Sequence, residues 1–379
     1  MRITDVTTYP VFNGSRTWLF VVVDTDEGIW GIGESNLTSR ERAVMGFVDH
    51  VTPLLIGQDP SRIEHLWQVL FRGGFFPADR VGASAIAAID TALWDIAGKT
   101  HGVPVYQLLG GLVRDKVICY PHNGPEDGSI EALIESCQRT SAQGYKFVRW
   151  ALPQTNDVLE PRQAVRVALR QCEAVRMALG DEVEMCVDVH TRLDPVDATT
   201  LCREIEAYRP YFVEDPLRAE DTNAYRTLRA RTGVPLAAGE QFASKWEYRQ
   251  LIEEDLIDYA RVDPTLGAGI TEVRKIAGWC ETHYINLAPH NPNGPVSTAA
   301  CLHLCLASTN VGVLELPRPL TDVLPDVFPM TPSFEDGYLL PPTQAGLGVD
   351  FDRAAAVRHG FQMVELPHLR RQDGAMTNW

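Results

Sequence analysis

Asp188, Glu214 and Glu240 each close a short apolar run, and Asp263, His290 and Glu315 continue the series at intervals of 26, 26, 23, 27 and 25 residues. Three carboxylates with no cysteine among them make a hard oxygen set suited to Mg²⁺, with positions left for water and substrate. His190 follows Asp188 by two residues, so strand geometry predicts that both side chains share the inward face. Asp263 and His290 close successive runs. A carboxylate bonded to one imidazole nitrogen fixes the tautomer and frees the other nitrogen to take a proton. Glu315 is expected either to donate to an adjacent oxygen or to repel it, according to its protonation. Arg149 and Arg261 are inward candidates for gripping a carboxylate, whose geometry a guanidinium matches. His122, just past an earlier run, is a further candidate for the same mouth. The chemistry these groups suit is removal of a proton α to a carboxylate. Metal and hydrogen bonds would hold the enediolate, and a second acid would protonate a leaving hydroxide.

The elements that must position such groups follow from the spacing. Each interval is long enough for one loop, one helix and one loop between strands. A (β/α)₈ barrel of ~250 residues repeats every ~30, and its active site gathers residues from the C-terminal ends of its strands. Lys116–Tyr120 reads as the first barrel strand and Gly144–Trp150 contains the second. Before them, Ile3–Tyr9, Leu19–Asp24 and Ile29–Glu34 read as three strands, followed by helices over Ser61–Leu70 and Gly82–Gly98. A further helical pattern begins near Thr38, with Ser39 as its expected N-cap. Strands followed by helices, ahead of the periodic acids, indicate a separate α+β domain. The chain therefore divides into a capping domain at 1–115, a barrel at 116–320 and a tail at 321–379 that returns to the cap.

Composition narrows the partners. The chain has 379 residues, 34 basic against 50 acidic, for a net charge of −16. That balance argues against nucleic acid or an anionic membrane, yet a cation and a few arginines can make one cleft welcoming to a small anion. No run approaches ~18 consecutive apolar residues, so no membrane span is expected. No basic-then-apolar leader is read at the start. The eight cysteines show no Cys-x-x-Cys pair, and several fall in apolar runs as buried reduced thiols do. A cytoplasmic protein is expected.

With these residues in place the chain resembles the enolase superfamily, in particular the mandelate racemase-like acid-sugar dehydratases. The segments that carry the resemblance are Gly31–Glu34, Ile89–Lys99, Leu109–Asp115, Val187–His190, Val213–Pro216, Ala238–Gln241, Gly267–Glu272, Pro289–His290 and Gly346–Asp350. The Asp-x-His pattern at 188–190 is similar to galactonate dehydratase, with mannonate dehydratase next. The resemblance implies an α/β fold, a modified (β/α)₇β barrel under an α+β cap completed by the tail. It implies one Mg²⁺ on Asp188, Glu214 and Glu240, a His290–Asp263 base at C2, His190 as the acid at C3, and Glu315 bonded to the enediolate oxygen. Cap loops around Trp18 and Thr38 would set substrate length and stereochemistry. The partner implied is a small anionic sugar acid, and the family's habit of assembling implies a homo-oligomer.

One departure bears on the reaction. Arg149-Trp150-Ala151 stands where many relatives carry Lys-x-Lys, so proton transfer between two faces is disfavoured. An arginine there is similar to mannonate dehydratase, but residues 151–187 contain no tyrosine to match that family's catalyst. An epimerase, a cycloisomerase or a non-catalytic sugar-acid binder remain the alternatives.

Overall fold

The structure, a computed structural model, describes residues 1–124, 129–152 and 157–378. Residues 153–156, in the loop that lacks a tyrosine, lie outside it. The chain opens on an antiparallel meander of β1 (Ile3–Phe12), β2 (Thr17–Thr25) and β3 (Trp30–Ser35). Leu19–Val23 of β2 are buried without a break, because helices cover one face of the sheet and the tail covers the other. The helices are α1 (Glu41–Leu55), α2 (Ile63–Arg72), α3 (Arg80–His101) and the single turn α4 (Val105–Leu108).

Strand β3 lies so close to α3 that only glycine fits at two positions. A Cβ on Gly31 or Gly33 would sit 2.0 or 1.8 Å from the carbonyl oxygens of Ala92 and Ala88. Helix α3 is itself long and apolar enough to cross a bilayer. It does not read so in context: residues 82–96 are buried, and Asp90 and Asp95 within them bond to backbone amides of other elements. It is the central helix of the cap.

Eight parallel strands then close a barrel: β4 (Val117–Tyr120), β5 (Phe147–Ala151), β6 (Glu184–Asp188), β7 (Phe212–Glu214), β8 (Leu236–Ala238), β9 (Tyr259–Ala260), β10 (Asn286–Leu287) and β11 (Leu314–Glu315). Strands β5 to β10 form one run, β11 pairs with β4, and bridges His122–Arg149 and Leu287–Val311 complete the ring. Between them lie α5 (Ile130–Ala142), α6 (Pro161–Leu179), α7 (Pro195–Glu204), α8 (Asn223–Arg229), α9 (Lys245–Glu253), α10 (Ile270–Thr282) and α11 (Pro295–Ala307). Among the described residues seven helices alternate with these eight strands, the (β/α)₇β arrangement. Alternation along each strand decides what points inward. Phe147, Cys186 and Phe212 fill the barrel floor, and Arg149, Asp188 and Glu214, two residues on, reach its mouth.

The tail has two destinations. A hairpin of β12 (Phe334–Glu335) and β13 (Tyr338–Leu339) adds to the barrel strand β4, while α12 (Arg353–His359) and Phe328, Val349 and Phe351 pack on the cap sheet. The cap is fastened to the βα loops that follow β9 and β10. Ser84 Oγ donates to Thr265 O at 2.8 Å, Trp67 Nε1 donates to Ala268 O at 2.8 Å, and Asp90 accepts from Thr271 N at 2.9 Å. Buried Glu34 accepts from the amides of Gly294 and Ser297 at 2.7 and 2.8 Å, capping α11 from another domain. Ser39 is not a cap: it sits at φ 67°, its amide donates to Glu41, and α1 begins after Arg40. The reason is its hydroxyl, which donates to Val364 O of the tail at 2.9 Å.

Candidate active site

At the barrel mouth, beneath the cap, lies a cleft of ≈ 420 Å³ bordered by His122, Arg149, His190, His290 and Glu315 from the barrel and by Thr38 from the cap. Asp188 and Glu214 end adjacent strands and are opposite one another in the ladder. Glu240, Asp263 and His290 lie two or three residues beyond their strands, so the turns and not the strands aim them. Gly239, at φ 127°, makes one of those turns. The Tyr248 ring occupies the space a Cβ would need, 2.4 Å away, and its hydroxyl donates to Gly239 O at 2.8 Å.

Glu214, Asp215 and Glu240 each place a carboxylate oxygen within 4.8 Å of the others. Among the described residues, Glu214 Oε2, Asp215 Oδ2 and Glu240 Oε2 are buried with no hydrogen-bond partner, and Glu214 Oε1 has only an ion pair with Arg261. Burial first, and then the neighbouring carboxylates, push the Asp215 and Glu240 carboxyls well above their usual range. Orphaned, mutually repelling oxygens are what a hard divalent cation would satisfy. The donor set fits Mg²⁺. Asp215 was not foreseen, because alternation points the residue after Glu214 away from the barrel axis. Its φ of 37° breaks that alternation, and Gly239 N donates to its Oδ1 at 3.2 Å. The acid next to Glu214 in Glu-Asp-Pro was the available signal. Asp188 lies beside this cluster but is engaged elsewhere: Arg149 Nη2 bonds its Oδ2, and the His190 amide donates to its Oδ1 at 2.7 Å. Burial raises the Asp188 carboxyl, yet Arg149 and His190 outweigh it and hold it well below the usual range.

One prediction follows for the cluster. Mg²⁺ should raise the melting temperature of the wild-type protein, since a ligand at about 100 times its Kd stabilises by about 2.7 kcal/mol. Glu214→Gln should lose that rise. A variant whose melting point still climbs with Mg²⁺ would remove Glu214 from the ligand set.

His290 and Asp263 meet as a pair. His290 Nδ1 lies 2.8 Å from Asp263 Oδ2, and Thr265 donates its amide and hydroxyl to Asp263 Oδ1 at 2.7 and 2.6 Å. The carboxylate therefore fixes the ring, and Nε2 faces the cleft, 3.6 Å from Glu240 Oε2. His190 also comes to the cleft, by a different route from the expected one. Strand β6 ends at Asp188, and His190 and Thr191 adopt left-handed φ values of 53° and 55°. Strand alternation thus does not place its ring. The turn does, bringing Nε2 to 2.9 Å from Asp188 Oδ2 and 3.4 Å from Arg149 Nη2.

Three other expected residues stand differently. Arg261 does not border the cleft: it is 0 % exposed, with Nε 2.6 Å from Glu214 Oε1, Nη2 2.5 Å from Glu315 Oε2 and Nη1 donating to Ala288 O at 2.7 Å. All its nitrogens are spent inside the barrel. Trp18 is likewise buried within β2, opposite Val11, where the sheet packs on the cap core. Glu315 borders the cleft but as an acceptor. Although burial raises its carboxyl, Arg261 and His122 hold it well below the usual range. Asn291 N also donates to its Oε2 at 2.9 Å. The donor facing it is His122, whose Nε2 is 2.5 Å from Glu315 Oε1. Burial, then Arg149, pull the His122 imidazole down to about 4, so it is neutral and has one N–H to give.

Residues 132–355 match the family described as enolase C-terminal domain-like, and residues 10–110 match the mandelate racemase / muconate lactonizing enzyme N-terminal domain. The chain belongs to the enolase superfamily. Over 96 % of both chains it is 39 % identical to a D-mannonate dehydratase of Caulobacter sp. (strain K31). Over the full length of both it is 37 % identical to a D-galactonate dehydratase of Ralstonia nicotianae. An enolase from Pantoea ananatis, solved with bound D-gluconate and Mg, superposes with a TM-score of 0.93 at 31 % identity, covering 100 % of this chain and 99 % of that one. Membership accounts for the division of labour seen here, with acids on the barrel and a cap closing over them.

Proposed function

We propose that this superfamily member is a Mg²⁺-dependent sugar-acid dehydratase, converting an aldonate or related acid into its 2-keto-3-deoxy product and water. The observation that carries the reading is the Asp263–His290 pair. It presents a free imidazole nitrogen to the carboxylate cluster, with a second imidazole, His190, bordering the same cleft. The relatives that are dehydratases of D-mannonate and D-galactonate support the reaction class.

Asp188, Glu214 and Glu240 would hold Mg²⁺, with Asp215 adjoining. When bound, the ion supplies positive charge to the substrate carboxylate and so acidifies C2. His290 Nε2 takes the C2 proton, because Asp263 holds the protonated ring in place and offsets its charge. His190 gives a proton to the C3 oxygen, the C3–O bond breaks, and water leaves. The resulting enol becomes the 2-keto acid by gaining a proton at C3. Arg149 grips the substrate carboxylate from the side of Asp188, and neutral His122 gives its one N–H to ionised Glu315 at the edge of the cleft. A reducing, cytoplasmic setting is supported by eight cysteines that are all free and buried.

The test is direct. The purified protein with Mg²⁺ should release a 2-keto-3-deoxy acid from at least one sugar acid in a panel of mono- and diacids, with one solvent deuterium incorporated at C3 in D₂O. Inversion at C2 with no keto product would instead assign an epimerase.

A further inference from the structure

The cleft holds more positive charge than the chemistry at C2 and C3 requires. Besides Arg149, it is bordered by Arg16 and Arg318. Arg16 ends the turn between β1 and β2, where Asn13 Oδ1 accepts from the amides of Ser15 and Arg16 and so fixes the start of its side chain. Arg318 stands between Pro317 and Pro319, whose rings restrict the backbone on either side. It is exposed, and among the described residues it has no hydrogen bond or ion pair. Arg16 is half-buried, and among the described residues its one side-chain bond runs from Nη2 to the carbonyl of Pro292, with most of its five N–H donors unused there. Burial works against the Arg16 charge. Glu34 attracts it and Arg318 repels it, both from beyond ion-pair distance.

Two guanidiniums that repel each other, on separate rigid turns, face a cleft whose one bordering carboxylate, Glu315, is already held by Arg261 and His122. A protein of net charge −16 has acids enough to pair them, yet among the described residues no acid forms an ion pair with either. The arrangement lacks an anion. Arg16 is supplied by the cap, from the turn between β1 and β2, and not by the barrel strands that carry Arg149 and the acid cluster. A substrate whose first carboxylate lies by the acid cluster would therefore extend its far end toward the cap side.

We propose that Arg16 and Arg318 bind a second anionic terminus, so that the preferred substrate is a sugar diacid with a carboxylate at each end and not a monoacid ending in an alcohol. The inference rests on the dehydratase reading and sets its substrate class. A guanidinium matches a carboxylate with two parallel bonds, whereas it gives a terminal hydroxyl only a neutral acceptor.

The experiment compares D-glucarate and galactarate with D-gluconate and D-galactonate on the Mg²⁺-loaded protein. Both kcat/KM and the calorimetric Kd are measured, for wild type, Arg16→Met, Arg318→Met and the two lysine variants. The wild type should favour diacids by about tenfold or more in both quantities, as expected for one charge-assisted contact. Each methionine variant should lower the diacid-to-monoacid ratio by about tenfold, chiefly through KM, with the lysine variants recovering part of it. A diacid-to-monoacid ratio near one in the wild type, or one unmoved by both methionine substitutions, overturns the inference while dehydration of monoacids keeps the reaction class. Absence of keto product from every acid overturns the reaction class instead, and the calorimetric ratio then decides the second-anion site by itself.

Discussion

His290→Asn should abolish dehydration and, in D₂O, leave C2 of recovered substrate free of deuterium, with kcat lowered by about 10²–10⁴-fold, the usual worth of a positioned general base. The expectation comes from the way the ring is held. Thr265 fixes Asp263 with two short bonds, Asp263 fixes Nδ1, and Nε2 is the nitrogen left for a proton. Asparagine keeps a similar size and cannot take that proton. His190→Asn should differ in kind: dehydration is lost, because no acid serves the C3 oxygen, while exchange at C2 continues through His290. Mass spectrometry of recovered substrate separates the two variants. Exchange surviving in the His290 variant and vanishing in the His190 variant would swap their roles, and dehydration surviving in both would end the two-histidine mechanism.

Arg261→Met should destabilise the protein by about 3–5 kcal/mol, the cost of removing one partner from a buried ion pair. Glu214 and Glu315 are both buried and would be left without the guanidinium that lies between them. Denaturant midpoints should show the full loss in the presence of a chelator. With saturating Mg²⁺ the loss should be smaller, since a cation on Glu214 replaces part of the missing charge. The same variant should also weaken catalysis, because the Glu315 carboxyl, now lacking Arg261, would rise toward protonation and change what His122 faces. An unaltered midpoint in chelator would mean that Arg261 does not neutralise these two acids.

Much of this protein was legible in one dimension because a barrel repeats. Period-two burial within strands and near-equal spacing between them put Asp188 and Glu214 at one mouth, and a carboxylate and an imidazole on successive units, Asp263 and His290, met as a pair. Spacing alone therefore indicated a βα barrel and the pairing across it, while its (β/α)₇β form was implied by the family resemblance. It also separated an α+β beginning from the periodic region, since strands crowded ahead of helices cannot belong to a βα repeat.

Tertiary structure decided what each group is free to do. Arg261 and Arg149 have the same type and similar strand positions, yet Arg261 is enclosed by Glu214, Glu315 and two carbonyls while Arg149 borders the cleft. Trp18 and Arg16 are two residues apart, and only Arg16 faces the site. His190 and Asp215 are aimed by left-handed backbone, which strand alternation does not describe. Periodicity reports the direction in which a side chain leaves a regular backbone. Whether it meets solvent, substrate or another buried charge depends on atoms supplied by distant segments, here the cap, the β9 and β10 turns and the returning tail.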